Sequence, residues 1–365
     1  MERNCNMAET ERRGNGAATG LLLRVVGLTM ALLLTATWAS AKQPTTKKRL
    51  KVGLVLGGGG AKGAAHAGAL KVIEESGVPI DFVAGTSIGS IVGGLYACGY
   101  RSDDIREMFR SQAWIDLLGD RNAEHRGKLL SKDSLGVVYV MGFPVRRRGS
   151  RMADAAPGAM RGDRIVALLD SMVAQSPAFR SGRLGSADDS IAFDRLPTPF
   201  RCVAVDRLSH TEYVFTSGRL ATAMRASMAI PGAFKPVRRD SMELVDGGML
   251  NNLPADVARA MGADVIIAVD LTQNKHDDEA ERPEPHGKTA LGRLISWAVS
   301  RPDLKKYRAN RALCDVYINP DLEGYGAGSF RPQAIEDMIG RGERAAQQQR
   351  AALKKLRKRI AKGRR

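Results

Sequence analysis

The sequence is poor in cysteine, with four residues in a chain of 365. No two of them form a C-x-x-C pair, so the sequence lacks the usual spacing of a structural zinc site and offers no disulfide framework. We therefore interpret the cysteines as small core residues. They are Cys5, Cys98, Cys202 and Cys314.

Histidine is also scarce, with five residues in the chain. Four of them fall in predicted loops, in an insertion or on a predicted exposed strand, and none fits the order of a Ser-His-Asp triad. The fifth, His66, lies about one turn into a predicted helix, where we interpret it as a packed residue. A hydrolase built on this chain would need a base other than histidine.

The N-terminal apolar run, residues 25–34, is too short for a comfortable membrane span, which takes about 20 residues. Arginines precede this run, and Ala39-Ser40-Ala41 follows it in the small-x-small pattern of a cleavage site. We predict a cleaved signal peptide over 1–41, a basic lead-in over 42–49, and an exported protein that is periplasmic or secreted. Because the region before the apolar run is long, an uncleaved N-terminal membrane anchor is the alternative.

The net charge of +17 is unevenly distributed along the chain. Residues 341–365 hold eleven Lys and Arg against a single acidic residue, Glu343, and the remainder is only mildly basic. This distribution argues against a nucleic-acid-binding domain. We predict a basic C-terminal helix over 331–365, whose charges form either an ordinary solvated face or a contact with an anionic membrane surface.

Two strand–turn–helix units lie within residues 50–95. An apolar run at 52–56 leads into four glycines, and a second run at 82–84 leads into Gly85-Thr86-Ser87-Ile88-Gly89. The first turn would expose N–H groups at a helix N-terminus, where negative charge is stabilised. The second matches G-x-S-x-G, the nucleophile elbow, in which a sharp turn exposes a serine side chain. An anion site beside an exposed serine predicts acyl transfer.

Ser87 is the candidate nucleophile, and Asp246 is the candidate base. Asp246 ends a short predicted strand and precedes two glycines, which places its carboxylate at the same edge of the sheet. A carboxylate acting directly on the serine would form a Ser-Asp dyad. We expect the backbone N–H groups of Gly58, Gly59 and Gly60 to stabilise the oxyanion, with the N–H of Ile88 as a further donor.

These motifs resemble those of the patatin-like phospholipases, including the bacterial members of that family. The likeness covers roughly residues 50–270. It implies a three-layer α/β/α fold with a mostly parallel central sheet, the Ser87–Asp246 dyad, and hydrolysis of acyl esters, usually of phospholipids, without metal or cofactor. The supporting motif positions are Lys62 (where the family often has arginine), Gly63, Gly85, Gly89, Gly247 and Gly248.

We place the hydrolase domain at 50–330. Within it, residues 101–196 form a predicted helical and loop insertion over the edge of the sheet, in the position of a lid. The basic helix over 331–365 lies outside the motif pattern, as does the insertion. Substrate range therefore does not follow from the resemblance.

Two other classes of function stay open. Residues 57–63 also match G-x-G-x-x-G, and Asp81 lies about where a ribose-binding acid would stand, which would suit a dinucleotide-binding oxidoreductase. A non-catalytic membrane-binding protein on this fold is the second alternative, although the presence of both Ser87 and Asp246 argues against it. A lipid or acyl-ester substrate is the expected partner, and nucleic acid is not.

Overall fold

The computed structural model describes residues 49–119, 128, 130–132, 138–140, 143–145, 160–273 and 304–362. The predicted signal peptide and almost all of the predicted lead-in lie outside the described residues. Residues 49–363 form one compact unit. Across the described part of the chain, no helix combines the length and the apolar character needed to cross a bilayer.

A mixed eight-stranded sheet forms the centre of the domain. Its strands are β1 (Val52–Leu56), β2 (Phe82–Thr86), β7 (Phe200–Asp206), β8 (Thr211–Phe215), β10 (Val237–Arg239), β11 (Met242–Asp246), β12 (Val265–Val269) and β13 (Val316–Ile318). Their order is β10-β11-β7-β2-β1-β12-β13, with β8 also paired to β7. Strands β13, β12, β1, β2 and β7 are parallel, and β8, β10 and β11 are antiparallel to their neighbours.

Helices cover both faces of this sheet. Strands β1, β2 and β12 are buried along their whole length, as expected for parallel strands between two helical layers. Leu54 faces a core shared with most of the helices, whereas Val55 faces a smaller core with the helices at 255–260 and 304–312. The predicted three-layer α/β/α fold with a mostly parallel sheet is therefore confirmed.

The helices of the described residues are α1 (Ala64–Ser76), α2 (Ile88–Ala97), α3 (Ser102–Ser111), α4 (Trp114–Leu118), α5 (Asp163–Gln175), α6 (Pro177–Arg180), α7 (Leu220–Ser227), α8 (Ala255–Ala260), α9 (Leu304–Ala312), α10 (Pro332–Gln348) and α11 (Arg350–Lys362). Short 3₁₀ turns occupy Gly60–Gly63, Phe193–Arg195 and Gly247–Met249.

The C-terminal segment differs from the prediction of one separate basic helix over 331–365. It forms two helices, α10 and α11, and both belong to the same compact unit as the sheet. Helix α10 packs closely against α1, because Gly68 and Gly342 let the two backbones approach. Helix α11 buries Leu353, Leu356 and Ile360 in the main core. These three residues are enough to fix a helix whose other side chains are mostly basic.

The predicted insertion over 101–196 lies partly outside the described residues, which leave out most of 120–159, so the lid stays a prediction. Helices α3 and α5 of this segment bury Ile105, Phe109, Ile165 and Leu169 in the main core, so they form part of the helical layer. The segment also contains strands that the sequence pattern did not predict. These are β3 (Leu130–Lys132), β4 (Val138–Val140) and β5 (Phe143–Val145), which form a small antiparallel sheet, and β6 (Ile191–Ala192), which pairs with β9 (Ser217–Gly218).

Candidate active site

Ser87 lies at a sharp turn between β2 and α2. Its backbone has φ 56° and ψ −126°, a left-handed conformation that is strained for a residue with a side chain. The turn is held by hydrogen bonds, because the Ser87 N–H donates to Ser227 Oγ at 2.9 Å and that hydroxyl donates to the Val203 carbonyl at 2.6 Å. The chain must also pass very close to β1. A Cβ on Gly89 would lie 2.1 Å from the Leu56 carbonyl oxygen, so only glycine fits there.

Asp246 lies beside Ser87 because β7 joins the two strands that carry them. Thr86 of β2 is paired with Val203, and Asp246 of β11 is paired with Ala204. Ser87 Oγ donates to Asp246 Oδ2 at 2.7 Å. The other carboxylate oxygen, Oδ1, accepts from the Gly248 N–H at 2.8 Å. Two residues 159 positions apart are thus in direct contact, with the carboxylate oriented by its own turn.

Both residues of this pair are 5% exposed. Burial raises the pKa of Asp246 from 3.8 to about 6, while the hydrogen bonds from the Gly248 N–H and the Ser87 hydroxyl act in the opposite direction. At neutral pH the carboxylate is ionised and accepts the Ser87 hydroxyl hydrogen. Its raised pKa makes it a stronger base than an exposed aspartate.

A small pocket opens onto the pair. One wall is polar and is formed by the glycine-rich turn, by Ser87 and Asp246, and by the loop that follows Asp246. The side chains of Ile230, Pro231 and Met249 provide apolar surface. The lining residues are Gly59, Ser87, Ile230, Pro231, Asp246, Gly248, Met249 and Asn252.

The three glycines predicted to bind an oxyanion have different surroundings. The Gly58 N–H donates to the Asn252 carbonyl at 3.3 Å, so this donor is used within the protein. Gly59 lines the pocket, and Gly60 packs against Ala327. Within the described residues, the N–H groups of Gly59 and Ile88 have no protein acceptor.

The remaining motif glycines allow close contact between backbones. A Cβ on Gly63 would meet the Ile88 side chain at 2.2 Å, and one on Gly85 would meet the Gly89 carbonyl oxygen at 2.3 Å. A Cβ on Gly247 would meet the Val203 carbonyl oxygen at the same 2.3 Å. These motif positions thus hold the turns together around the dyad.

Two titratable groups lie beneath the glycine-rich turn. His66 is fully buried, and its Nε2 is 2.8 Å from the Gly57 carbonyl oxygen, as expected of a packed helix residue. Burial lowers its pKa to about 4, so the ring is neutral at physiological pH. Burial also lowers the pKa of Lys62, an effect opposed by the negative charge of Asp270.

The geometry does not favour a dinucleotide site. Asp81 accepts hydrogen bonds from Arg49 and from the Val52 N–H, at the start of β1, whereas the glycine-rich turn follows the end of β1. The acid and the turn therefore lie at opposite ends of the strand. Nor do the described residues contain a group of three or more His, Cys, Asp or Glu placed to hold a metal ion.

Asn252 and Thr86 also belong to the site, and neither was predicted to have a role there. Asn252 lines the pocket, and the Thr86 hydroxyl donates to the Asn251 carbonyl at 2.8 Å. The only sequence signal for the asparagines was the Asn251-Asn252-Leu253-Pro254 stretch, which resembles the family without indicating a contact.

The sequence is similar to known proteins of one family. The sequence matches the family model described as "Patatin-like phospholipase" over residues 54–259. It is 32% identical over 271 residues to "Patatin-like phospholipase domain-containing protein 6" of Mus musculus, covering 72% of this chain and 17% of that protein. It is 27% identical over 301 residues to "Lysophospholipase nte1" of Aspergillus fumigatus, covering 76% of this chain and 17% of that protein.

A solved structure, VipD from Legionella pneumophila, shares the fold with a TM-score of 0.51 at 14% identity, covering 84% of this chain and 67% of that one. The chain spans under a fifth of the length of the two relatives named above. The family match covers more than half of the chain and includes the end of β1, the glycine-rich turn, Ser87 and Asp246. The chain therefore belongs to the patatin-like phospholipase family.

Proposed function

We propose that this protein is a serine acyl hydrolase that cleaves acyl esters of lipids through a Ser87–Asp246 dyad. The observation that carries the proposal is the 2.7 Å hydrogen bond from Ser87 Oγ to the buried Asp246 carboxylate, at the floor of a pocket bordered by the glycine-rich turn. Two observations support lipid esters as the substrate. The chain belongs to the patatin-like phospholipase family, and part of the pocket wall is apolar.

Asp246 would act first as a general base. It takes the proton of Ser87 as Oγ attacks the ester carbonyl carbon, and the carbonyl π electrons move onto oxygen. Collapse of the tetrahedral intermediate expels the alcohol or lysolipid, which takes the proton from Asp246, and leaves the acyl group on Ser87. Asp246 then takes a proton from water as the water oxygen attacks the carbonyl carbon of the acyl-enzyme. Collapse of this second tetrahedral intermediate breaks the bond to Ser87 Oγ, which takes the proton back from Asp246, and releases the carboxylic acid.

The oxyanion needs donors aimed into the pocket. We propose the N–H groups of Gly59 and Ile88 for this role, since Gly59 lines the pocket and Ile88 directly follows the nucleophile. Gly58 is better assigned to holding the turn, because its N–H already bonds Asn252. The apolar side chains of Ile230, Pro231 and Met249 would begin the acyl-chain groove.

Hydrolysis of a short-chain p-nitrophenyl ester and of a labelled phospholipid tests the proposal. Ser87→Ala and Asp246→Asn should each abolish turnover by the full-length chain. Ser76→Ala and Asp206→Asn are matched controls, since both residues are buried and lie outside the pocket, and they should retain activity. Full activity in either dyad variant would disprove the mechanism, and the two substrates separate a phospholipase from a general esterase.

We also propose that the protein is exported by its N-terminal segment, with a membrane anchor as the alternative. N-terminal sequencing and cell fractionation distinguish the two, because cleavage after Ala41 would leave a soluble exported chain. An intact N-terminus in the membrane fraction would favour the anchor.

We propose, further, that helix α11 contacts anionic lipid by charge alone. Its apolar residues Leu353, Leu356 and Ile360 are buried in the core, while Lys354, Lys358 and its other basic residues are exposed. Binding to phosphatidylglycerol vesicles should therefore fall steeply as salt increases, and phosphatidylcholine vesicles should not bind. Salt-independent binding, or no binding at low salt, would contradict this role.

A further inference from the structure

Asn252 occupies the space between the two loops that form the candidate active site. It is 4% exposed and lines the pocket with Gly59, Ser87 and Asp246. Its role in the reaction does not follow from the dyad itself, because Asn252 makes no hydrogen bond to Ser87 or to Asp246 among the described contacts.

Asn252 holds the glycine-rich turn through both its backbone and its side chain. The Gly58 N–H donates to the Asn252 carbonyl at 3.3 Å, and Asn252 Nδ2 donates to the Gly58 carbonyl at 3.4 Å. The same Nδ2 lies 3.4 Å from the Thr272 hydroxyl oxygen. The N–H and the carbonyl of Gly58 are thus both hydrogen-bonded to Asn252. The next residue, Gly59, lies at the pocket wall.

The side-chain oxygen of Asn252 also fits closely between glycines of the two loops. A Cβ on Gly58 would lie 2.4 Å from Asn252 Oδ1, and one on Gly248 would lie 2.8 Å from it. Gly248 in turn donates its N–H to Asp246. One side chain therefore contacts both the turn that would hold the oxyanion and the turn that orients the base.

We propose that Asn252 is a positioning residue that sets the glycine-rich turn at its working distance from Ser87 and Asp246. The inference rests on the proposed function, since the distance matters only if an oxyanion forms there. A misplacement of about 1 Å in such a site can cost about 100-fold in rate. Among the described contacts Asn252 makes no hydrogen bond to either reacting group, so we infer that it acts through Gly58 and Gly248.

The test compares Asn252→Ala and Asn252→Asp with a matched control, Asn310→Ala. Asn310 is also buried and hydrogen-bonded, to the Asn251 side chain, but it does not line the pocket. We expect kcat for the p-nitrophenyl ester to fall about 10- to 100-fold in both Asn252 variants, the range seen when groups that orient a site are lost. The KM should change less than about threefold, because ground-state binding does not use the oxyanion donors.

A trifluoromethyl ketone with the same acyl chain gives a second readout, because its adduct with Ser87 carries an oxyanion. Its inhibition constant should rise by the same factor by which kcat falls. A kcat within threefold of the parent, or a loss no greater than that of Asn310→Ala per folded molecule, would overturn the proposal. If Asn252→Ala does not fold, hydrogen exchange in Asn252→Asp decides, since this variant keeps the shape and loses the donor but adds a charge that would by itself lower kcat.

Hydrogen exchange separates this inference from the proposed function. The peptide covering residues 57–63 should exchange faster in Asn252→Ala than in the parent and should be unchanged in Asn310→Ala. If the parent has no turnover and forms no adduct, the proposed function fails, and exchange alone decides whether Asn252 holds the turn. Unchanged exchange in Asn252→Ala would overturn the positioning role.

Discussion

Replacing Asp246 with Asn should abolish turnover and, at pH 8, make the folded protein more stable. The carboxylate is buried, and burial raises its pKa from 3.8 to about 6. A raised pKa in the folded state means that the ionised form is less favourable there than in the unfolded chain. Asparagine has nearly the same shape and removes the buried charge. The group that would carry the chemistry thus lowers the stability of the fold.

The sign and size of this change in stability follow from the number of protons that the folded and unfolded states bind. Between pH 3.8 and about 6 the folded state binds more protons than the unfolded state, so the free energy of unfolding falls as the pH rises through this window. The pKa rises by roughly two pH units, and each corresponds to about 1.4 kcal/mol, so the loss is about 3 kcal/mol above pH 6. The amide introduced by Asp246→Asn does not titrate, so the variant does not lose this free energy of unfolding.

Urea unfolding at pH 4, 5, 6 and 8, followed by circular dichroism, measures the effect. The free energy of unfolding of Asp246→Asn minus that of the parent should increase by about 2 kcal/mol from pH 4 to pH 8, because part of the loss has already occurred at pH 4. Asp206→Asn is a control of opposite sign, because hydrogen bonds from the Ser209 hydroxyl and from backbone N–H groups lower the pKa of Asp206. A difference that does not depend on pH, or one that falls as the pH rises, would refute the reasoning.

Three further predictions concern the dyad, the turn at Ser87 and the packing of α10 against α1. The value of kcat/KM should fall tenfold per pH unit below about pH 6, because protonated Asp246 cannot act as a base, and a flat pH–rate profile down to pH 5 would contradict this. Ser227→Ala should destabilise the fold by about 1–3 kcal/mol and lower kcat, since it leaves the Ser87 N–H and the Val203 carbonyl without their bridging hydroxyl. Parent values in both thermal unfolding and ester hydrolysis would show that this hydroxyl is unimportant. Gly68→Ala should lower the free energy of unfolding by about 1–3 kcal/mol or more, because its Cβ would lie 2.0 Å from the Ile339 carbonyl oxygen. The matched control Gly340→Ala meets only the end of a flexible arginine side chain, so equal melting temperatures for the two variants would argue against a close α1–α10 crossing.

The parts of the structure that the sequence predicted well depend on local patterns. Strands β1 and β2 are short apolar runs that end in glycine motifs, and their burial on both faces follows from that composition. Ser87 and Asp246 could be proposed as partners because each follows a predicted strand at a turn. Their contact depends on β7 lying between β2 and β11, which the sequence pattern did not reveal.

The features that the sequence did not predict depend on packing between distant segments. Asn252 bonds Gly58 across 194 positions, and no local periodicity marks such a contact. Helix α11 looked like a separate basic tail because its apolar face is narrow. Long basic side chains can keep their charges in water while three apolar residues pack into a core, so a high charge does not exclude burial.

The strained and buried groups of the candidate site need a rigid surrounding structure, and the C-terminal helices supply part of it. Ser87 has a left-handed backbone and Asp246 is a buried acid, so both destabilise the fold locally. Helix α1 begins directly after the glycine-rich turn, and α10 and α11 pack along that helix. The Ala61 N–H also donates to the Ala327 carbonyl at 2.8 Å, which ties the turn to the segment before α10. Residues after position 320 therefore help to hold a turn that lies near position 60, even though they contain none of the motif residues.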